Sequence, residues 1–184
     1  QITGRDSIVM NRLIFALDFA ARKHRDQRRK DVDASPYINH PIALSNVLVN
    51  EAGIGDEDVL IAAILHDTLE DTATTEDELR RDFGPAIAAV VAEVSDDKSL
   101  TKEECKRLQV INAGRLSREA KLVKLADKIC NLRDISRSPP KGWSPTRQQA
   151  YFDWAKAVVD GLRGVHPQLE ALFDAAFRVG PKAS

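Results

Sequence analysis

The sequence predicts an all-α fold, a bundle of about eight helices forming one domain over residues 1–184. Three observations carry that expectation. Turn-formers are scarce, with nine glycines and eight prolines in 184 residues against the roughly 12% of an average chain. No segment alternates apolar and polar residues with period two, as a half-buried strand would. Helix start and stop signals, by contrast, recur along the whole chain.

The apolar positions Leu13, Leu17, Ala20 and Ala21 recur at three- and four-residue steps and predict a first helix. Phe15 and Phe19 lie on another side of it, so much of its circumference is expected to be covered. It runs out in the polar stretch His24-Arg25-Asp26-Gln27-Arg28-Arg29-Lys30-Asp31. Pro41 suits a first turn and Gly53 a C-terminal stop, bracketing a helix over Ile42 to Glu51. Asp56-Glu57-Asp58 then supply acidic first-turn residues for a helix running unbroken from Val59 to Glu70. Thr75 with Glu78, and Thr101 with Glu104, fit the capping box. Gly84-Pro85 separates two further helices, the second carrying Ile87, Val90, Val91 and Val94. Ser117 caps a long helix whose inner face is Leu122, Leu125, Ile129 and Leu132. Ser136 to Gly142 is the expected linker. Ser144-Pro145 opens a helix containing Tyr151, Trp154 and Val158, and Pro167 opens a last one over 167–178 that packs on the rest through Leu169, Leu172 and Phe173.

Composition excludes several function classes. Hydrophobic residues at 43% and charged residues at 30% are ordinary globular chemistry. A formal net charge of −1 provides no global field toward nucleic acid or anionic lipid, so neither is an expected partner. The longest apolar runs, Val59 to Leu65 and Ala86 to Ala92, fall far short of the ~20 residues that span a bilayer. No signal segment opens the sequence, and Cys105 and Cys130 form no disulfide or metal pattern. The expected localisation is therefore the cytoplasm. Oligomeric state has no signal.

The segment with chemical content is His66-Asp67-Thr68-Leu69-Glu70-Asp71. On an unbroken helix Glu70 lies over His66 and Asp71 over Asp67, while Ile61, Ala62, Leu65 and Leu69 take the other side. The plain alternative is an acidic helix end, although the macrodipole disfavours carboxylates there. His40, in Tyr37-Ile38-Asn39-His40-Pro41, stands at a helix start, where it is either a projecting ligand or a helix cap. Asp127 falls between the apolar positions of the long helix, where a carboxylate needs a partner. That partner is either a metal or one of the lysines Lys124 and Lys128. Two imidazoles and two carboxylates with positions left open suit Mn²⁺ and also accept Fe²⁺, Co²⁺ or Zn²⁺. Arg25, Arg28, Arg29 and Lys30 are either a solvated helix end or a phosphate-binding group. Arg147 and Tyr151, four apart, offer a clamp and a stacking face. Trp143 and Trp154 are read as core or surface packing, His24 as a core residue or a support for the site, and His166 as a turn residue.

These residues resemble the ligand pattern of HD-type metal-dependent phosphohydrolases. More widely, the chain resembles the hydrolase domain of the RelA/SpoT family, and most of all its stand-alone small alarmone hydrolases. The matching stretches are Gln27 to Lys30, Tyr37 to Pro41, His66 to Asp71 and Lys124 to Asp134, within a resemblance covering about Leu13 to Gly164. The resemblance implies an all-helical HD domain, one manganese ion per chain, and removal of the 3′-pyrophosphate from ppGpp and pppGpp. Carried over by position, it puts His40, His66, Asp67 and Asp127 on the metal. Glu70 and Asp71 take the place of the acidic pair that activates or orients the attacking water. Arg29, Lys30 and Asn131 match nucleotide-contacting positions, with Tyr37, Arg147 and Tyr151 grouped beside them as substrate-binding. A synthetase domain has no room in 184 residues. Two other functions compete: hydrolysis of another 2′- or 3′-phosphorylated nucleotide such as NADPH, and a non-catalytic nucleotide-binding module.

Overall fold

The computed structural model describes residues 4–181, with side chains from Met10 onward. The described residues form ten α-helices and no strand: α1 (Gly4–Lys23), α2 (Asn39–Asn46), α3 (Glu57–Leu65), α4 (Thr68–Asp71), α5 (Glu76–Phe83), α6 (Pro85–Val94), α7 (Lys102–Asn112), α8 (Arg118–Arg137), α9 (Pro145–Leu162) and α10 (Pro167–Val179). A π-helical turn, Val47–Glu51, extends α2, and a 3₁₀ turn, Ala113–Arg115, follows α7. An isolated β-bridge pairs Arg28 with Pro36 in the loop after α1. None of these helices is long and apolar enough to cross a membrane.

Two helices make the centre. Every residue of α3 from Val59 to Leu65 is buried, as expected of a helix that is apolar on all sides. It packs on α1, α2, α6 and α8. Along α8, Leu122, Leu125, Ile129 and Leu132 are fully buried, which is the inner face the periodicity predicts. The same helix packs on α2, α6, α9 and α10. In α1 the core contact is made by Ala16, Phe19 and Ala20, while Leu13 and Leu17 are only partly covered and Phe15 is exposed.

The caps hold where the sequence places them. Thr75, Thr101, Ser117 and Ser144 each accept a backbone N–H three residues on. Asp56 caps α3, and the His166 ring caps α10 by accepting from the Leu169 amide. The second half of the first capping box is absent, because Glu78 is drawn to Lys23 Nζ at 2.8 Å. The expected linker begins later than predicted, since α8 carries on through Arg137 and Ser136 hydrogen-bonds to the Gly180 carbonyl.

One departure shapes the site. The helix predicted to run unbroken from Val59 to Glu70 stops at Leu65, turns at His66-Asp67, and resumes as the single turn α4. Asp67 has φ −99° and ψ 0°, a bridge conformation between helical turns. Side chains take the carbonyls that a continuing helix would use. His66 Nδ1 lies 2.8 Å from the Ala63 carbonyl, and Thr68 Oγ1 donates to that of Leu65 at 2.7 Å.

Candidate metal centre and nucleotide pocket

The two central helices and their neighbour carry the candidate ligands to one point. His40 is the second residue of α2, His66 and Asp67 form the turn that ends α3, and Asp127 lies midway along α8. Ligand atoms of His40, His66 and Asp67 fall within 4.8 Å of one another. Asp127 Oδ1 joins them, 3.1 Å from His40 Nε2 and 4.0 Å from His66 Nε2. These residues line a cavity of about 200 Å³.

The donor set fits a divalent cation. His66 Nδ1–H donates to a carbonyl, so Nε2 is the ring atom that faces the cluster and offers a lone pair when its proton is lost to a cation. That Nε2 is buried without a hydrogen-bond partner, although Asp67 Oδ2 is 2.9 Å away. Two carboxylates around this nitrogen call for positive charge, either a proton on Nε2 or a bound cation in its place. Burial opposes charge on the His66 ring, but Asp67 and Asp127 outweigh it and push its pKa up to about 9. Burial keeps His40 low, hence neutral and a competent ligand, and its Nδ1 is also unpartnered. Burial works against both carboxylates, yet His66 holds Asp67, and Lys128 and His40 hold Asp127, well below the usual range.

Neighbours fix these groups. The Tyr37 hydroxyl donates to Asp67 Oδ2, and its ring stacks on buried His24 with centroids 4.7 Å apart. His24 in turn meets the Gln27 amide, whose Nε2 donates to the Asp71 carbonyl. His24 therefore supports the site from the core. Asn131 Nδ2 donates to Asp127 Oδ1 at 2.7 Å, and Arg29 reaches Asn131 Oδ1 and Asp134 Oδ2 at 3.1 and 2.8 Å. Lys128 Nζ pairs with Asp127 Oδ2 at 3.0 Å. The lysine alternative for Asp127 thus holds at Oδ2, while Oδ1 faces the two histidines.

The helix break corrects the expected stacking of Glu70 over His66. Glu70 is carried on α4 instead, and its Oε2 accepts the Asp96 amide at 3.0 Å. The carboxyl is half-buried, and that burial raises its pKa. Asp71 is more open, but the protein packed around its carboxyl and the nearby Asp67 raise it as well. Both line the small cavity.

A second cavity of about 900 Å³ adjoins it, with Arg29, Lys30, Asn131, Glu70 and Asp71 on its wall. Arg147 and Tyr151 reach it from α9. Trp143 and Trp154 pack against the core, as expected, and line this cavity as well. The rings run in series, Trp143 to Tyr151 at 5.8 Å and Tyr151 to Trp154 at 5.2 Å. Cations sit against them: Arg147 is 4.5 Å from the Trp143 centroid and Lys106 is 5.0 Å from that of Trp154. Buried Gln148 donates to the Trp143 carbonyl and holds that loop. Sequence reasoning missed Lys106, Gln109 and Asp96 on this wall. In the sequence they stand among ordinary charged and polar residues in and before α7, with nothing to separate them from a solvated surface.

Residues 16–152 match the family model for the HD domain. The Homo sapiens guanosine-3′,5′-bis(diphosphate) 3′-pyrophosphohydrolase is 57% identical over 166 residues, covering 90% of this chain and 93% of the relative. The Drosophila melanogaster protein of the same name is 52% identical over 162 residues, 88% of this chain and 90% of its own. A solved structure of a metazoan ortholog of SpoT, described as hydrolysing ppGpp, superposes with a TM-score of 0.88 at 51% identity, over 91% of this chain and 94% of that one.

Proposed function

The chain belongs to the HD-domain family, and on that premise we propose that it is a metal-dependent guanosine-3′,5′-bis(diphosphate) 3′-pyrophosphohydrolase. The observation that carries this is the junction of the two cavities: a nitrogen-and-carboxylate cluster opening directly into a pocket of cations and aromatic rings. The rings offer faces for a purine and the cations offer donors for phosphates.

His40, His66, Asp67 and Asp127 would hold one divalent ion, with Mn²⁺ the best match to two imidazoles and two carboxylates with open positions. Such an ion supplies an acidified water and polarises phosphoryl oxygen. The remaining work falls to the chain. Glu70, anchored through Oε2, accepts the proton of the attacking water, and Asp71 orients that water. Water oxygen bonds to the phosphorus of the 3′-pyrophosphate as the bond to the ribose oxygen breaks, that oxygen takes a proton from solvent to become the 3′-hydroxyl, and the products of ppGpp are GDP and pyrophosphate. Arg29, Lys30 and Arg147 bind phosphates, Tyr151 stacks on the base, and Tyr37 and Asn131 orient the two carboxylate ligands. Two free cysteines fit the reducing cytoplasm as the site of action.

The test is turnover of ppGpp by purified protein, stripped of metal and then reloaded. Release of pyrophosphate that depends on added Mn²⁺ is expected. Binding of ppGpp without turnover under any divalent metal would overturn the assignment in favour of a binding module.

A further inference from the structure

Lys128 is the most deeply buried cation at the site, with 4% of its side chain exposed. An interior lysine is costly, and exchanging a buried ion pair for apolar residues is often neutral or stabilising. Stability therefore does not explain its presence. Its surroundings do. The ammonium lies between Asp127 Oδ2, at 3.0 Å, and the face of Trp154, whose centroid is 4.4 Å away. Trp154 is itself pinned, its Nε1 donating to the Lys106 carbonyl at 3.1 Å.

The two oxygens of Asp127 are thereby separated by function. Oδ1 faces His40 and His66 and accepts from Asn131. Oδ2 is taken by Lys128. A free carboxylate can give a cation either one oxygen or both, and the second fills a position that water or substrate needs.

We propose that Lys128, backed by the Trp154 ring, is a positioning residue that withholds Asp127 Oδ2 and restricts this ligand to a single oxygen. This rests on the assignment of Asp127 as a ligand. The lysine is on the wall of the small cavity and not on that of the nucleotide pocket. It acts through Asp127.

Lys128→Met keeps the length of the side chain and its packing on Trp154 but removes the donor. The expected variant binds the ion at normal stoichiometry, since a nearby positive charge has been lost rather than a ligand. Its KM for ppGpp should stay within about twofold while kcat falls about ten- to hundredfold, the usual cost of removing a ligand's hydrogen-bond partner. The visible absorption of the Co²⁺-loaded protein, recorded without nucleotide, should change because coordination changes. Lys128→Arg, which retains a donor for Oδ2, should recover most of the kcat and the wild-type spectrum. Trp154→Leu should shift the Co²⁺ spectrum in the same direction as Lys128→Met, and it carries the test should the methionine variant fail to fold. Asp127→Ala separates the two claims. If it keeps the ion, Asp127 is not a ligand and the underlying assignment fails. If it loses the ion while Lys128→Met (or, should that not fold, Trp154→Leu) leaves the spectrum unchanged, the proposal about Lys128 is overturned alone.

Discussion

Replacing Glu70 with Gln isolates the proton-accepting role from everything else the residue does. The amide is nearly the same size and its oxygen can still accept the Asp96 N–H, so the local hydrogen bond at 3.0 Å survives. What is lost is a carboxylate able to take a proton from water. General-base catalysis contributes about 10²–10⁴ in rate, so kcat should fall by that factor, about 2.7–5.4 kcal/mol of barrier. Metal content and KM should be unchanged, because Glu70 is assigned to neither task. Stability moves the other way. Burial raises the Glu70 pKa, so ionising it in the folded state costs stability. That cost is absent below the unfolded pKa and grows as pH rises through the folded one. In metal-free protein at neutral pH, Glu70→Gln should therefore be as stable as wild type or more so. Steady-state kinetics, metal analysis and a urea melt of the same preparations check all three. Loss of the ion in Glu70→Gln would make Glu70 a ligand, and unchanged kcat would reduce α4 to an acidic helix end.

Asp127→Ala should strip most of the bound metal and nearly all turnover, as read by metal analysis and kinetics; normal stoichiometry with normal rate would remove Asp127 from the ligand set. Arg29→Ala should raise KM more than Lys30→Ala, because Arg29 also braces Asn131 and Asp134 whereas Lys30 is exposed; equal effects in a substrate titration would argue against that bracing. Gly161→Ala should lower the unfolding midpoint, since a Cβ there would lie 2.7 Å from that of Ala113, an overpacking cost of about 1–3 kcal/mol set against the usual gain for Ala in a helix. Glu51 meets Arg133 through both oxygens at 2.8 Å, which lowers its pKa. Glu51→Gln should cost about 0.5–1 kcal/mol after solvent screening. That difference should be present above the ordinary carboxylate pKa and vanish as acid takes the pH through the lowered one.

How much was legible depended on what each signal measures. Caps such as Thr75, Ser117 and Ser144 are local chemistry, and they fall where the residues stand. The inner face of α8 is a matter of period, and Leu122, Leu125, Ile129 and Leu132 obey it. The break after Leu65 was not legible, because the side chains of His66 and Thr68 take the Ala63 and Leu65 carbonyls, a choice that the apolar period does not register. His40, His66, Asp67 and Asp127 could be grouped through a resemblance to a known ligand pattern; spacing alone left each with a plainer explanation. Trp143 and Trp154 pack against the core as read, but their place on the cavity wall was not legible. Periodicity finds the covered side of a helix, and a ring covered by a cavity wall looks the same as one in the core.

The central claim is hydrolysis at the phosphorus of the 3′-pyrophosphate, carried out by water activated at the His40, His66, Asp67 and Asp127 cluster. Mass spectrometry of the products formed from ppGpp in oxygen-18 water with Mn²⁺ tests it most directly. The account predicts GDP without label and pyrophosphate carrying one labelled oxygen, with no product when the metal is removed. Label in GDP, release of orthophosphate in place of pyrophosphate, or equal turnover without metal would contradict it.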